Sequence, residues 1–286
     1  MNPTKTMYRK KQVAQKVFLY IFLITVSFIM IYPYLWSLTA SFKTDHQLYS
    51  GNPLDLLPKP WSLVNFRNVL TRLPFLRFLI NSFFLSTIVP FFMIMISTLA
   101  GYSFARLNFK GKNVIFFFLL ALMMMPGHIT LIPNYALVRM LGWIDKYIAL
   151  IIPQIFSAGI VFNLFIMRQF FLSFPKELED AAIIDGCSRF RIFWQIFLPN
   201  ALPAIATVAI ISFKNQWNSF LWPLVVINDY QKMPVQVGLS YLKINIETSW
   251  GSLLAGSTLS IIPIILVFII FQRYFINSML VSGLKG

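Results

Sequence analysis

Residues 173–199 read SFPKELEDAAIIDGCSRFRIFWQIFLP and hold four of the chain's nine acidic residues. Pro175 suits the first turn of a helix, and Glu177, Glu179 and Asp180 set negative charge against its N-terminal dipole. Leu178, Ala181, Ala182 and Asp185 fall at i, i+3, i+4 and i+7, a spacing that predicts a small or apolar face ending in an acid. Gly186 is the natural stop, because glycine accepts the left-handed conformation that closes a helix. Ser188 can cap a second helix, in which Phe190, Phe193, Trp194 and Phe197 form an aromatic stripe before Pro199 and Pro203. Small residues that allow close approach, next to aromatics that anchor, read as a docking element. An amphipathic hairpin on lipid headgroups has the same periodicity, but four acids facing an anionic leaflet argue against it.

The rest of the chain explains where such an element sits. Of 286 residues, 58% are hydrophobic, 17% aromatic and only 12% charged, and the mean hydropathy is +0.71. A soluble domain carries about a quarter charged residues, so the solvent for most of this chain is lipid, which excludes a cytosolic enzyme and a disordered or collagen-like chain. Crossing a bilayer as a helix takes about twenty apolar residues. Six segments meet that standard: Val17–Leu38, Leu79–Tyr102, Val114–Tyr135, Ile148–Met167, Ala201–Ile227 and Thr258–Phe275. The expected fold is therefore all-α, a polytopic integral membrane protein with six transmembrane helices. The first apolar run outlasts a cleavable signal peptide.

A formal charge of +15 would suit nucleic acid in a soluble chain; in a membrane chain it collects in cytoplasmic loops, so no nucleic-acid partner is expected. The tail 1–16, with Lys5, Arg9, Lys10, Lys11 and Lys16, contains no acid, and neither does the loop with Arg106, Lys110 and Lys112. Both are predicted to be cytoplasmic, and six spans return the C-terminus, with Arg273 and Lys285, to the same side. Segment 173–199 is then cytoplasmic, while 40–78 and 228–257 are long outer loops of a membrane domain covering 17–286. The single Cys187 excludes an internal disulfide, and His46 and His128 stand apart from any ligand cluster, so neither a metal site nor a catalytic residue is expected.

Lys214, Asn215, Trp217, Asn218 and Trp222 fall within the fifth span. Amides and aromatic faces are the chemical types that bind sugars, and polar side chains at membrane depth also serve as hydrogen-bonding glue between helices. Lys214 has no acid within any predicted span, which leaves it to snorkel, to pair with a partner chain or to face an anionic substrate.

The run Asp180-Ala181-Ala182-Ile183-Ile184-Asp185-Gly186, followed by Ile196-Phe197-Leu198-Pro199, resembles the EAA motif of permease subunits in ATP-binding-cassette importers. The family's leading glutamate is Asp180 here, one methylene shorter, and Cys187 stands where alanine is common. Ser41-Phe42-Lys43, Asn81-Ser82, Trp217-Asn218, Trp222-Pro223-Leu224, Pro234 to Leu239, Gln272 to Phe275 and Lys285-Gly286 extend the resemblance to the carbohydrate-importer branch, in its maltose-type second permease.

The resemblance implies a type I importer transmembrane domain that moves a sugar or oligosaccharide inward by alternating access, in a bacterial cell membrane with both termini cytoplasmic. It makes 173–199 a coupling loop, with Asp180, Ala181, Ala182, Asp185 and Gly186 docking into an ATP-binding-cassette ATPase dimer. It also implies a second, related permease and an extracellular or periplasmic solute-binding protein that meets the outer loops. No Gly-x-x-x-x-Gly-Lys-Ser/Thr run is present, so no cofactor is expected here and ATP belongs to the partner. An ion-coupled secondary transporter is the alternative, but it calls for intramembrane carboxylates or a visible internal repeat, and neither is seen.

Overall fold

The computed structural model describes residues 3–52, 55–245 and 250–283, and among these the regular structure is helical throughout. Lys285 and Gly286 lie outside the described residues, as does the side chain of Arg273. The chain divides into two compact units, Met1–Arg72 with Leu242–Leu259, and Leu73–Tyr241 with Ser260–Gly286.

The first unit contains α1 (Pro3–Ala40), α2 (Asp45–Ser50) and α3 (Val64–Arg72). Within α1, Gln15–Ala40 has a mean hydropathy of 2.1 and no buried residue along its apolar window, the surface of a helix that lies in lipid or meets another chain. Just past its end, the buried Asn65 amide donates to the carbonyl oxygens of Ser41 (3.0 Å) and Lys43 (2.7 Å). That satisfies two carbonyls of buried residues in the turn that follows the helix. Phe42 packs between Trp61 and Phe66, at 5.3 and 4.8 Å between ring centroids.

The second unit is organised on α4 (Phe75–Arg106), which packs against the later helices α7, α8 and α12. Its buried face carries Ser82, Ser86, Pro90, Ser97 and Gly101, small side chains at helical spacing that let neighbouring backbones approach. At Gly101 the approach is closest: a Cβ there would lie 2.8 Å from Cβ of Met167 and 3.0 Å from the backbone nitrogen of Arg168. α5 (Lys112–Met123) and α6 (Leu131–Met140) follow, then α7 (Tyr147–Ile155), α8 (Ala158–Leu172), α9 (Glu177–Ile184) and α10 (Arg189–Ile192). A π-helical turn, Phe193–Phe197, leads through α11 (Leu198–Asn200) to α12 (Leu202–Trp217). α13 (Leu221–Val226) and α14 (Val235–Asn245) precede α15 (Trp250–Gly283).

The expected membrane helices are present, but three of the six expected spans are interrupted, so the count of six is not reproduced exactly. Among the described residues, Gln15–Ala40, Phe75–Arg106 and Trp250–Gln272 are the single helices long and apolar enough to cross, and two bent pairs raise the number to five. The expected span Val114–Tyr135 is two short helices, α5 and α6, parted at Pro126-Gly127, because proline lacks an N–H and forces its predecessor out of the helical region. Ile148–Met167 bends by 42° between α7 and α8, where Ser157 caps the new helix by accepting from the Gly159 N–H. Ala201–Ile227 stops at Trp217 and resumes as α13, while the segment Arg189–Asn200 meets α12 at 72°.

Asp145 holds one edge of this unit. At φ +60° it sits in the left-handed region, its N–H donates to the carbonyl of Val226 (3.0 Å), and its carboxylate accepts from the backbone N–H groups of Asn228 (2.5 Å) and Asp229 (3.0 Å). Those two donors, Asn228 first, hold the carboxyl below its ordinary value.

Two outcomes follow from this packing. Gly101→Leu is expected to lower stability by about 1–3 kcal/mol, whereas Gly127→Ala, with nothing within 4 Å of the new methyl group, stays within about 0.5 kcal/mol; thermal unfolding in detergent compares them. A depressed carboxyl stabilises above the unfolded carboxylate value of about 3.9 and loses its contribution as pH falls through the lower folded value. The stability difference between the wild type and Asp145→Asn is therefore expected to be constant from pH 5 to 8 and to shrink only in stronger acid.

Candidate functional site

The acidic segment folds as a short helix, a glycine turn and a second short helix. α9 ends at Gly186, whose φ of +77° is the left-handed closure; its N–H donates to Ile183 O (3.0 Å) and that of Cys187 to Ala182 O (2.9 Å). Ser188 then caps α10 by accepting from the Arg191 N–H. The outer edge is open: Asp180, Ala181, Asp185 and Gly186 are exposed, together with Ile183 and an Ile184 that is 85% exposed. Ala182, expected on the docking edge, is buried instead. The face that turns inward is Glu179 with Ala182, at i and i+3, so the face Leu178–Ala181–Asp185 is split from it. The aromatic stripe divides likewise. Phe193 and Phe197 are buried against Tyr102 and Phe171, while Phe190 and Trp194 stay exposed.

Beneath α9 lies a charge cluster that sequence reasoning missed. Glu179 is buried, and its carboxylate meets Arg106 (3.7 Å) and Arg189. Arg106 entered the sequence reading only as a marker of sidedness, since one sequence gives no register between the end of α4 and a loop some seventy residues later. The available signal was that Glu179, three residues before Ala182, shares its helix face.

The residues of the fifth span separate. Trp222 is buried, donates its indole N–H to Ala149 O (2.9 Å) and lines a cavity of about 810 Å³ with Trp143, Phe156 and Phe220. Asn215 lines a smaller cavity of about 270 Å³ with Asn163, Ser212 and Gln216; Asn163 donates to Ser212 Oγ (2.8 Å). The break between α7 and α8 joins them, because Gln154, Ser157 and Gly159 line both. No Asp, Glu, Lys or Arg lines either cavity among the described residues. Trp217 is packing, buried and stacked on Phe213 at 5.8 Å. Lys214 and Asn218 are exposed and line neither cavity; Asn218 Oδ1 accepts from Gln236 at 3.4 Å.

Comparison with known proteins fits this architecture. The chain is 37% identical over 263 residues to the arabinooligosaccharides transport system permease protein of Halalkalibacterium halodurans, covering 91% of this chain and 93% of that one. It is 32% identical over 281 residues to the trehalose/maltose transport system permease protein of Thermococcus litoralis, covering 97% and 99%. A crystal structure of a bacterial ABC transporter involved in the import of the acidic polysaccharide alginate contains a chain of the same fold, with a TM-score of 0.79 at 23% identity over 96% of this chain and 99% of that one. The model of the family described as binding-protein-dependent transport system inner membrane component matches residues 93–281, and with relatives of this identity along the whole length the chain belongs to that family.

Proposed function

We propose that this chain is one of two permease subunits of an ATP-driven importer that carries an oligosaccharide across a bacterial cell membrane, with both termini in the cytoplasm. Its family and its sugar-permease relatives favour this over ion-coupled transport. The observation that carries the mechanism is the α9 turn: a glycine-closed helix whose acids and small side chains stand exposed on one edge while its other face is fixed in the core. Asp180, Ala181, Asp185 and Gly186 form the edge offered to a separate ATPase dimer, and Ala182 sets the depth at which α9 rests on its own bundle. A hydrolysing partner can then bias two arrangements of the helices.

The sugar path runs along the α7–α8 break. A sugar has apolar faces that stack on aromatic rings and hydroxyl groups that need hydrogen-bonding partners; Trp143, Phe156, Phe220 and Trp222 supply the first, and Gln154, Asn163, Asn215 and Gln216 the second. A lining that among the described residues holds no Asp, Glu, Lys or Arg, and carries His128 as its imidazole, matches a neutral sugar. Loops 40–78 and 228–257 are assigned to the solute-binding protein.

Coexpression with the related permease, the ATPase and the binding protein, followed by reconstitution in vesicles, tests this reading. Gly186→Pro is expected to abolish uptake and substrate-stimulated ATP hydrolysis while the chain still inserts, because proline is fixed near φ −65° and cannot adopt +77°. Retention of both activities would refute the docking assignment. Asn215→Leu is expected to lower uptake of a neutral oligosaccharide about tenfold, the worth of one hydrogen bond to the sugar; unchanged uptake would remove Asn215 from the path.

A further inference from the structure

We infer that the Arg106–Glu179 ion pair is the pin through which movement of the α9 turn is passed to α4 and on to the cavity at the α7–α8 break. The inference rests on the docking role proposed for α9 and adds a positioning pair on its hidden side.

Arg106 occupies the last turn of α4, and its guanidinium is used on every edge. Nη1 faces Glu179 Oε2 at 3.7 Å, Nη2 donates to the carbonyl oxygens of Phe171 (2.7 Å) and Phe174 (2.5 Å), Nε donates to Phe171 O (3.1 Å), and the group lies 5.0 Å over the ring of Phe197. One side chain thus fastens α4 to α9, to the C-terminal end of α8 and to the π-helical turn. Only a planar fork of donors does this; an ammonium group has neither the geometry nor the stacking face. The other oxygen of Glu179 accepts from Arg189 at the start of α10, so the carboxylate is held on both sides.

Stability alone does not account for the pair. The side chains of Arg106 and Glu179 are 5% and 9% exposed, and burying two charges costs enough hydration that apolar residues of similar volume commonly serve as well. The surrounding core, with Tyr102, Phe171, Ile192, Phe193 and Phe197, already supplies apolar packing. What the pair adds is direction: the charge-assisted hydrogen bonds of Arg106 to the Phe171 and Phe174 carbonyls and of Arg189 to Glu179 fix the two charges in orientation. Their 3.7 Å ion contact therefore resists a displacement along which apolar surfaces would slide. The covalent routes out of α9 are less direct. Upstream is the turn Ser173–Lys176; downstream are the π-helical turn and the 72° bend before α12. The pin bypasses both. On α4, Met93 lies 13 residues before Arg106, about 20 Å along the helix, and lines the polar cavity with Asn163 and Asn215. Between them Gly101 locks α4 against α8.

The complete transporter in vesicles, with uptake and ATP hydrolysis measured per assembled complex, tests the pin. Arg106→Met with Glu179→Leu replaces both charges by apolar volume, and Glu179→Gln removes one charge at constant shape. Both variants are expected to keep the ATPase bound and hydrolysing while sugar uptake per ATP falls about tenfold, within the usual range of a coupling free energy. Either variant with the unaltered uptake-to-hydrolysis ratio overturns the inference, and so does a loss confined to the amount of assembled complex, since a purely structural pair would lower yield and leave the ratio alone. Failure of the ATPase to copurify with the unaltered chain would instead strike the docking reading itself.

Discussion

The close packing of α4 against α8 is the constraint on which the larger unit depends. In lipid no hydrophobic force drives two apolar helices together, so association rests on dispersion contacts and hydrogen bonds, both of which fall off steeply with separation. The buried serines of α4 and Gly101 bring the backbones near enough for those contacts, to the point where a single methyl group at Gly101 would collide with Met167. Once α4 and α8 are fixed, the ends of both helices are fixed too. Arg106 then lies within reach of the carbonyls of Phe171 and Phe174, and Met93 lies beside Gly159 and Asn163 at the α7–α8 break.

A second regularity concerns where polar side chains go in a chain with so few. Helix ends and breaks leave carbonyl and N–H groups that lipid cannot solvate, and single amides or charges are stationed at them. Asn65 caps the carbonyls past α1, Asn81 donates to Gln231 O and Met233 O, Asp145 accepts from Asn228 and Asp229, and Arg106 closes the end of α8. The α7–α8 break differs: Ser157 caps α8, but Gln154, Asn163 and Asn215 gather there around open space. Polar groups gathered around a cavity are the chemistry expected along a solute path.

Much of this was legible beforehand, and the failures have physical causes. The helical class, the apolar extents of α1, α4 and α15, the glycine stop of α9 and the Ser188 cap all follow from local chemistry, and each is present. Hydropathy sums over a window and is blind to breaks, which is why Val114–Tyr135 read as one span although Pro126 and Gly127 divide it, and why Ala201–Ile227 ran through the stop at Trp217. Among the expected path residues, Asn215 and Trp222 line cavities while Trp217 is buried packing and Lys214 lies outside, a distinction that depends on neighbours that periodicity does not place. The burial of Ala182 was not legible for a related reason. A four-residue small face can be turned by one position, and only the burial of Glu179 decides which way.

The loop's acids carry the last step. Four carboxylates within nine residues look like one surface property, yet the fold gives adjacent residues opposite tasks: Glu179 is held inside between two guanidinium groups, and Asp180 stands in the open beside Ala181. Successive positions on a helix point about 100° apart, which lets Glu179 face inward while Asp180 faces out. This bears on the short side chain at Asp180. A carboxylate whose partner lies on another protein has its reach set by how far the helix protrudes, and that height is fixed by Ala182 and Glu179 beneath it. On the docking role proposed for α9, the length of the side chain at 180 and the depth of the seat under α9 act on one distance, and a methylene lost from the first is recoverable by a shallower second.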